Sequence, residues 1–204
     1  MVPTKTFFNL NRDKQDRIMK AAVDTFANDY YSSVKLSDII RSSKIPRGSF
    51  YQYFDDKKDI YVYMFDLIAQ EKMKVLGGLV YNPEEVPFTE LFYNLYLKGL
   101  EFAVENPKYV LITSNLLNDR SDLYEELFGD NLELAKNFYR SYIEDDKKVG
   151  RIREDIDTET LVDLVMDSVS SVAISEIRQG IELDVELMKS KIRNIIHILK
   201  KGIE

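Results

Sequence analysis

The 204-residue chain contains no cysteine. Disulfides and thiolate metal sites are therefore excluded, and a reducing, cytoplasmic location is expected. Histidine occurs once, at His197, which rules out a histidine-based metal cluster or a histidine-dependent triad. No cofactor and no metal is expected. Acidic neighbours do occur, as Glu84-Glu85, Glu125-Glu126 and Asp145-Asp146, but adjacent side chains diverge and do not form an acid/base pair. No glycine-rich phosphate loop is present, and Gly77-Gly78 reads as a helix end. An enzyme is not expected. No apolar run approaches the length of about 18 residues that a membrane span needs. The opening MVPTKTFFNLNRDKQDR lacks the apolar centre of a signal peptide. Five prolines and eight glycines are too few for a fibrous or linker-rich chain.

What is present is the composition of a folded protein. Hydrophobic residues make up 45% and charged residues 31%, enough to bury a core beneath a solvated surface. The net charge of −7 hides an asymmetry. Residues 1–60 hold 11 Lys and Arg against 8 Asp, a balance of +3, and the remainder holds 17 against 27, a balance of −10. A basic head on an acidic body suits a nucleic-acid-reading module joined to something else.

Helical periodicity runs through nearly the whole chain, without alternating strand patterns or internal repeats. Ile18, Ala21, Ala22 and Phe26 share one face of a helix over 13–28, with Asn11 as its N-cap. A short helix over 36–43 points Leu36, Ile39 and Ile40 inward. Pro46 then forces Ile45 out of helical dihedrals and opens another short helix over 47–53. Further helices are expected at about 57–76, 87–105, 107–116, 121–147, 158–179 and 184–202. The fold class expected is all-α, with an N-terminal three-helix head at 1–58 and a larger helical body at 59–204.

The rhythm of the first three helices is that of a helix-turn-helix. Its last helix lies in IPRGSFYQYF, residues 45–54, where helical geometry sorts the side chains by face. Phe50 and Phe54 are i,i+4 neighbours fit for the core, against Ile39 and Phe26. Arg47, Gly48, Ser49 and Gln52 fall on the other side, where Gly48 lets a DNA backbone approach closely. Tyr51 and Tyr53 flank that surface with hydroxyls able to donate to phosphate.

At this point the chain resembles the TetR family of bacterial transcriptional repressors. The resemblance rests on IMKAAVDTF, then LSDIIRSSKIPRGSFYQYFDDKKDI, and covers roughly residues 14–62. It implies a double-stranded DNA operator, with base or backbone contacts from Arg47, Gly48 and Ser49 and phosphate contacts from Tyr51, Tyr53 and Lys57. Lys35 and Ser37, at the start of the second helix, and Gln52 belong to the same expected surface. Three residues depart from the family pattern. Tyr30 and Lys44 stand where two inter-helix turns usually have Gly, and Lys35 stands where Thr would cap the second helix. Left-handed backbone at either non-Gly position would cost about 1–2 kcal/mol, so rebuilt turns are expected there.

In the body, a homodimer through the last two helices is expected. The stripe Met188, Ile192, Ile195, Ile196, Leu199 and Ile203 faces one way, with Lys189, Arg193, His197 and Lys200 opposite. The preceding helix is apolar around most of its girth, and Ser168, Ser171 and Ser175 would allow close approach across a dimer seam. The middle helices carry aromatics that the resemblance places around a small-molecule cavity. Phe92, Tyr93, Tyr96, Phe128, Phe138 and Tyr142 are the candidate contacts for a hydrophobic or cationic inducer. The alternative reading is a helical small-molecule carrier or interaction protein whose head no longer binds DNA.

Overall fold

The computed structural model describes residues 3–79, 85–119, 123–177 and 184–203, with the side chains of residues 128, 130, 131 and 169–177 outside the description. The order is α1 (Lys5–Phe8), α2 (Arg12–Asn28), α3 (Leu36–Ser43), α4 (Arg47–Phe50), α5 (Lys57–Leu76), α6 (Phe88–Glu105), α7 (Pro107–Asn118), α8 (Leu123–Lys148), α9 (Thr158–Ile177) and α10 (Val185–Ile203). Among the described residues there is no strand, and no helix is long and apolar enough to cross a membrane. The all-α class is thus as the periodicity indicates. Two details differ: α1 lies ahead of the first periodic helix, outside the expected elements, and α4 is a single turn followed by non-helical turns through residue 53.

Two compact units form. The first comprises residues 1–71 with 106–124, and the second 72–105 with 125–204. The division expected at residue 58 falls in the first turn of α5, and α7 joins the head.

The first unit is built on capped helices. The Asn11 side chain accepts the Lys14 N–H at 2.9 Å, which sets the start of α2. Ile18, Ala21, Ala22 and Phe26 are buried along it, as their spacing indicates. Asp56 caps α5 by accepting the Asp59 N–H at 2.9 Å, while the Asp59 carboxylate reaches back to accept the Asp55 N–H at 3.2 Å. From there Ile60, Met64 and Ile68 descend one buried face at i,i+4 spacing. Helix α7 begins with Pro107 at its first position, where a missing N–H is harmless. Near its other end the Asn115 amide donates to the carbonyls of Phe26 and Ala27, both at 3.1 Å. Asp119 accepts the Ser32 N–H at 2.7 Å, pinning the turn that follows α2. Those bonds explain why α7 packs with the head: it satisfies carbonyls that the end of α2 leaves open.

In the second unit, Phe88, Leu91, Phe92, Tyr96 and Leu100 of α6 form a core with Tyr142 and Ile143 of α8, Leu161, Val162 and Val165 of α9, and the buried stripe of α10. Asp157 and Asp184 cap α9 and α10, accepting the N–H groups of Thr160 at 2.8 Å and Leu187 at 2.9 Å. Gly150, at φ 76°, lets the chain leave α8 in the left-handed conformation that glycine adopts freely. The apolar stripe of α10 takes a different role from the one its sequence suggests. Met188, Ile192, Leu199 and Ile203 are buried within the chain's own core, where α10 packs on α6. Ile195 and Ile196 of the same stripe pack half-buried against that core. Among the described side chains of α9 and α10, Leu164, Leu187 and Ile198 are the large apolar residues left exposed, Ile198 to 68%. Ser168 donates to the Leu164 carbonyl at 2.7 Å, while Ser171 and Ser175 lie outside the described side chains.

Candidate nucleic-acid interface

Helix α3 presents Ile39 to the core, fully buried, and ends on a buried serine. The Ser43 hydroxyl donates to the Ile40 carbonyl at 3.0 Å, and the Arg17 Nε donates to the Ser43 carbonyl at 2.9 Å. Lys35 occupies the N-cap without a side-chain cap bond, as the loss of threonine there predicts. The turn after α2 is rebuilt: among the described non-glycine residues Lys44 alone has positive φ, so Tyr30 is not left-handed. The second turn is not rebuilt. Lys44 sits at φ 55°, ψ 41°, in the left-handed region that a lysine side chain disfavours. Lys44→Gly should therefore raise stability by about 0.5–1 kcal/mol, since relief of strain exceeds the added unfolded-state entropy. Urea midpoints of the two proteins measure it directly.

Pro46 precedes α4 with φ −61° and ψ 143°, and its carbonyl accepts the Ser49 N–H at 2.9 Å. Phe50 and Phe54 are wholly buried, their ring centroids 5.5 Å apart. Their ring contacts reach beyond the motif. Phe54 meets Phe7 at 5.0 Å and Tyr63 at 6.4 Å, whereas Phe26 packs on Tyr61 at 4.6 Å and Tyr31 at 6.1 Å. On the other side, Arg47, Gly48, Tyr51 and Gln52 are exposed and Ser49 is half-buried. Lys35 and Ser37 are exposed at the start of α3. A methyl group placed on Gly48 would meet nothing within 4 Å, so the protein's own packing does not require glycine there. The outcome is a one-turn helix anchored by two phenyl rings, with guanidinium, hydroxyl, amide and bare backbone turned outward.

This arrangement matches known proteins. Residues 18–64 fit the family model described as bacterial regulatory proteins of the tetR family. The head is that of a TetR-family regulator. The biofilm operon icaADBC negative transcriptional regulator IcaR of Staphylococcus aureus is 23% identical over 92% of this chain and 99% of its own length. A TetR family transcriptional regulator from Chloroflexus aurantiacus superposes with a TM-score of 0.80 at 27% identity, over 100% of this chain and 99% of that one. FadR from Bacillus subtilis, solved with stearoyl-CoA, superposes at TM-score 0.74 with 17% identity, over 92% and 98%. The protein is a DNA-binding transcriptional regulator with a TetR-family head.

In this TetR-family head, two of the expected phosphate contacts are committed elsewhere. Tyr53 is only 3% exposed. Its ring lies against Phe7 of α1 at 6.3 Å, and Lys14 sits over it at 5.5 Å. Lys57 turns inward. Its ammonium donates to the carbonyls of Tyr31 at 2.7 Å and Val34 at 2.9 Å, and lies 4.3 Å from the Tyr31 ring centre. Burial pulls its pKa below the ordinary lysine value, against the opposing charge of Asp119. Burial, with the charge of Asp119 and the neighbouring Tyr31, pushes the Tyr61 phenol in the same pocket well above its ordinary value. Lys57 thus braces the turn entering α3.

Sequence reasoning missed Thr4 and Phe7. Phe7 is buried among Tyr53, Phe54 and Tyr63, and the Thr4 N–H and hydroxyl hold the carbonyls of Tyr53 and Gln52. The signal was the paired Phe7-Phe8 ahead of the first periodic helix, which no periodicity claims.

The candidate ligand residues are packed rather than open. Phe92 and Tyr142 are buried, and Tyr96 is 6% exposed. Tyr93 and Phe138 pack on the same core, with Phe138 5.0 Å from Tyr142, and the side chain of Phe128 lies outside the described set. None of them lines the cavity of about 220 Å³ that opens in the first unit among Met19, Val23, Tyr63, Met64 and Leu67.

Proposed function

We propose that the protein is a homodimeric repressor that reads an operator through Lys35, Ser37, Arg47, Gly48, Ser49, Tyr51 and Gln52, and is released by a small apolar or cationic molecule. The observation that carries the DNA-reading surface is Gly48. A glycine inside a helix destabilises it relative to alanine, and here no neighbouring atom needs the space. The same open space surrounds the helical Gly99 and Gly129, so what distinguishes Gly48 is its place on the exposed recognition turn beside Arg47 and Tyr51. Close approach of a DNA backbone accounts for it, and the exposed Arg47, Tyr51 and Gln52 around it supply charge and hydrogen-bonding groups.

The dimer reading draws on Leu164, Leu187 and Ile198, apolar side chains that α9 and α10 leave outside the core. Paired heads read two half-sites about one helical turn apart, which supplies the specificity a single small module lacks. The inducer reading draws on the aromatic body and on FadR, whose solved structure holds stearoyl-CoA. A ligand need only favour the released arrangement about 100-fold to contribute about 2.7 kcal/mol of coupling.

Selection of bound duplexes from a random pool tests the whole reading: a shared, two-fold symmetric sequence is expected, and an unenriched pool would return the protein to the carrier class. Gly48→Ala sharpens it. Stability should rise by about 0.5 kcal/mol, while affinity for the selected duplex falls about tenfold, equivalent to about 1.4 kcal/mol. Unchanged affinity would remove Gly48 from the interface.

A further inference from the structure

We propose that α1 belongs to the DNA interface: Thr4 fixes the far end of the recognition segment, and Lys5 contacts a phosphate beside it. The proposal rests on the DNA-binding reading above and adds a part of the surface outside residues 18–64.

The recognition segment has a weak end. Helix α4 closes after one turn, and the chain continues through Tyr51, Gln52 and Tyr53 without a side-chain cap of its own. Carbonyls at such an end need partners. Thr4 supplies them from 48 residues away, its hydroxyl donating to the Gln52 carbonyl at 2.5 Å and its N–H to the Tyr53 carbonyl at 3.0 Å. Phe7, 1% exposed, locks α1 in place with ring centroids 5.0 Å from Phe54 and 5.6 Å from Tyr63. Thr4 and Phe7 thus clasp the same turns that orient Tyr51 and Gln52.

This clasp buries the ring of Tyr53, which is 3% exposed. The side chain that takes its place at the surface is Lys5. It is exposed, next in the chain to the Thr4 atoms that touch the recognition segment, and has no ion pair among the described residues. Ion-paired acidic residues of the head are held by others, Asp16 by Arg12, Asp24 by Lys108 and Asp38 by Arg41. A lysine standing beside a recognition segment without an acid of its own is suited to an anionic strand, and each neutralised phosphate releases counterion.

The test uses the full chain, a mixed-sequence duplex and duplexes enriched from a random pool. Lys5→Gln should lower the slope of log affinity against log salt by about 0.9, on every sequence alike, with an unchanged melting temperature. An unchanged slope overturns the Lys5 contact. Thr4→Val removes one donor and should weaken binding to the enriched duplex about fivefold, the worth of one hydrogen bond. Thr4→Ser should restore it. If Thr4→Val lowers the melting temperature but leaves affinity at low temperature intact, Thr4 is structural only and its positioning role is refuted. If the unaltered protein shows no salt-dependent binding to any duplex, the DNA-reading function itself fails, a result distinct from failure of either substitution.

Discussion

Asp146→Ala is expected to lower stability by about 3–5 kcal/mol, the range for breaking a buried ion pair and leaving its partners unsatisfied. The carboxylate is 2% exposed and fully engaged. One oxygen accepts the Phe88 N–H at 2.8 Å, so it caps α6 from a distant part of the chain. The other accepts from the Arg151 guanidinium at 2.8 and 2.7 Å. Removing it orphans a helix-end N–H and takes two contacts from a half-buried cation. Asp146→Asn keeps the acceptor for Phe88 and should recover part of the loss. Chemical denaturation followed by circular dichroism measures both. A loss under about 1 kcal/mol for the alanine variant would mean that water replaces the carboxylate without penalty. The neighbouring Asp145, ion-paired with Lys148 at the surface, is the control: its replacement should change stability by less than about 1 kcal/mol.

Asp145-Asp146 also illustrates where sequence reading stops. Adjacency argues against an acid/base pair, but nothing local distinguishes the surface acid from the one that organises a unit. What makes Asp146 special is Phe88, 58 positions away. Elements with strong local signals were legible. The Asn11 cap, the Leu36–Ser43 helix and the Lys57 start of α5 lie where capping and periodicity put them. The identity of partners was not. The α10 stripe announces that it must be covered, but periodicity cannot say whether a second chain or the chain's own α6 covers it. The same holds for α7, which the sequence places in the body and the hydrogen bonds of Asn115 and Asp119 place with the head.

Within the recognition segment the divide is finer. Phe50, Phe54, Arg47 and Gly48 follow helical geometry because α4 and the Pro46 turn are regular. Tyr53 departs from it because the helix has already ended and α1 has arrived from outside the motif. Lys44 shows the opposite case, a residue that local energetics disfavour but the surrounding packing retains. Ile45 is buried immediately after it and Pro46 fixes the next start, so the turn is held from its C-terminal side.

Lys57 offers the largest test of whether geometry or motif governs the head. Lys57→Met keeps the apolar stem but removes two charge-assisted bonds and the contact with the Tyr31 ring. Bonds to charged groups contribute about 1.5–3 kcal/mol each, and the group is half-buried, so a combined loss of about 2–3 kcal/mol is expected after solvent screening. The turn from Tyr31 to Val34 should loosen first, visible as faster amide exchange at Ser33 and Val34, whose N–H groups bond to the Tyr30 carbonyl. The salt dependence of duplex binding, measured well below the melting temperature, should keep its slope. A phosphate contact would behave in the reverse manner, with stability preserved and the slope reduced by about 0.9. The two outcomes separate cleanly because a lysine whose three donors face carbonyls and a ring has no geometry left for a strand of DNA. The family pattern places a lysine at this position, and in this chain its charge is directed to holding the turn that aims Lys35 and Ser37.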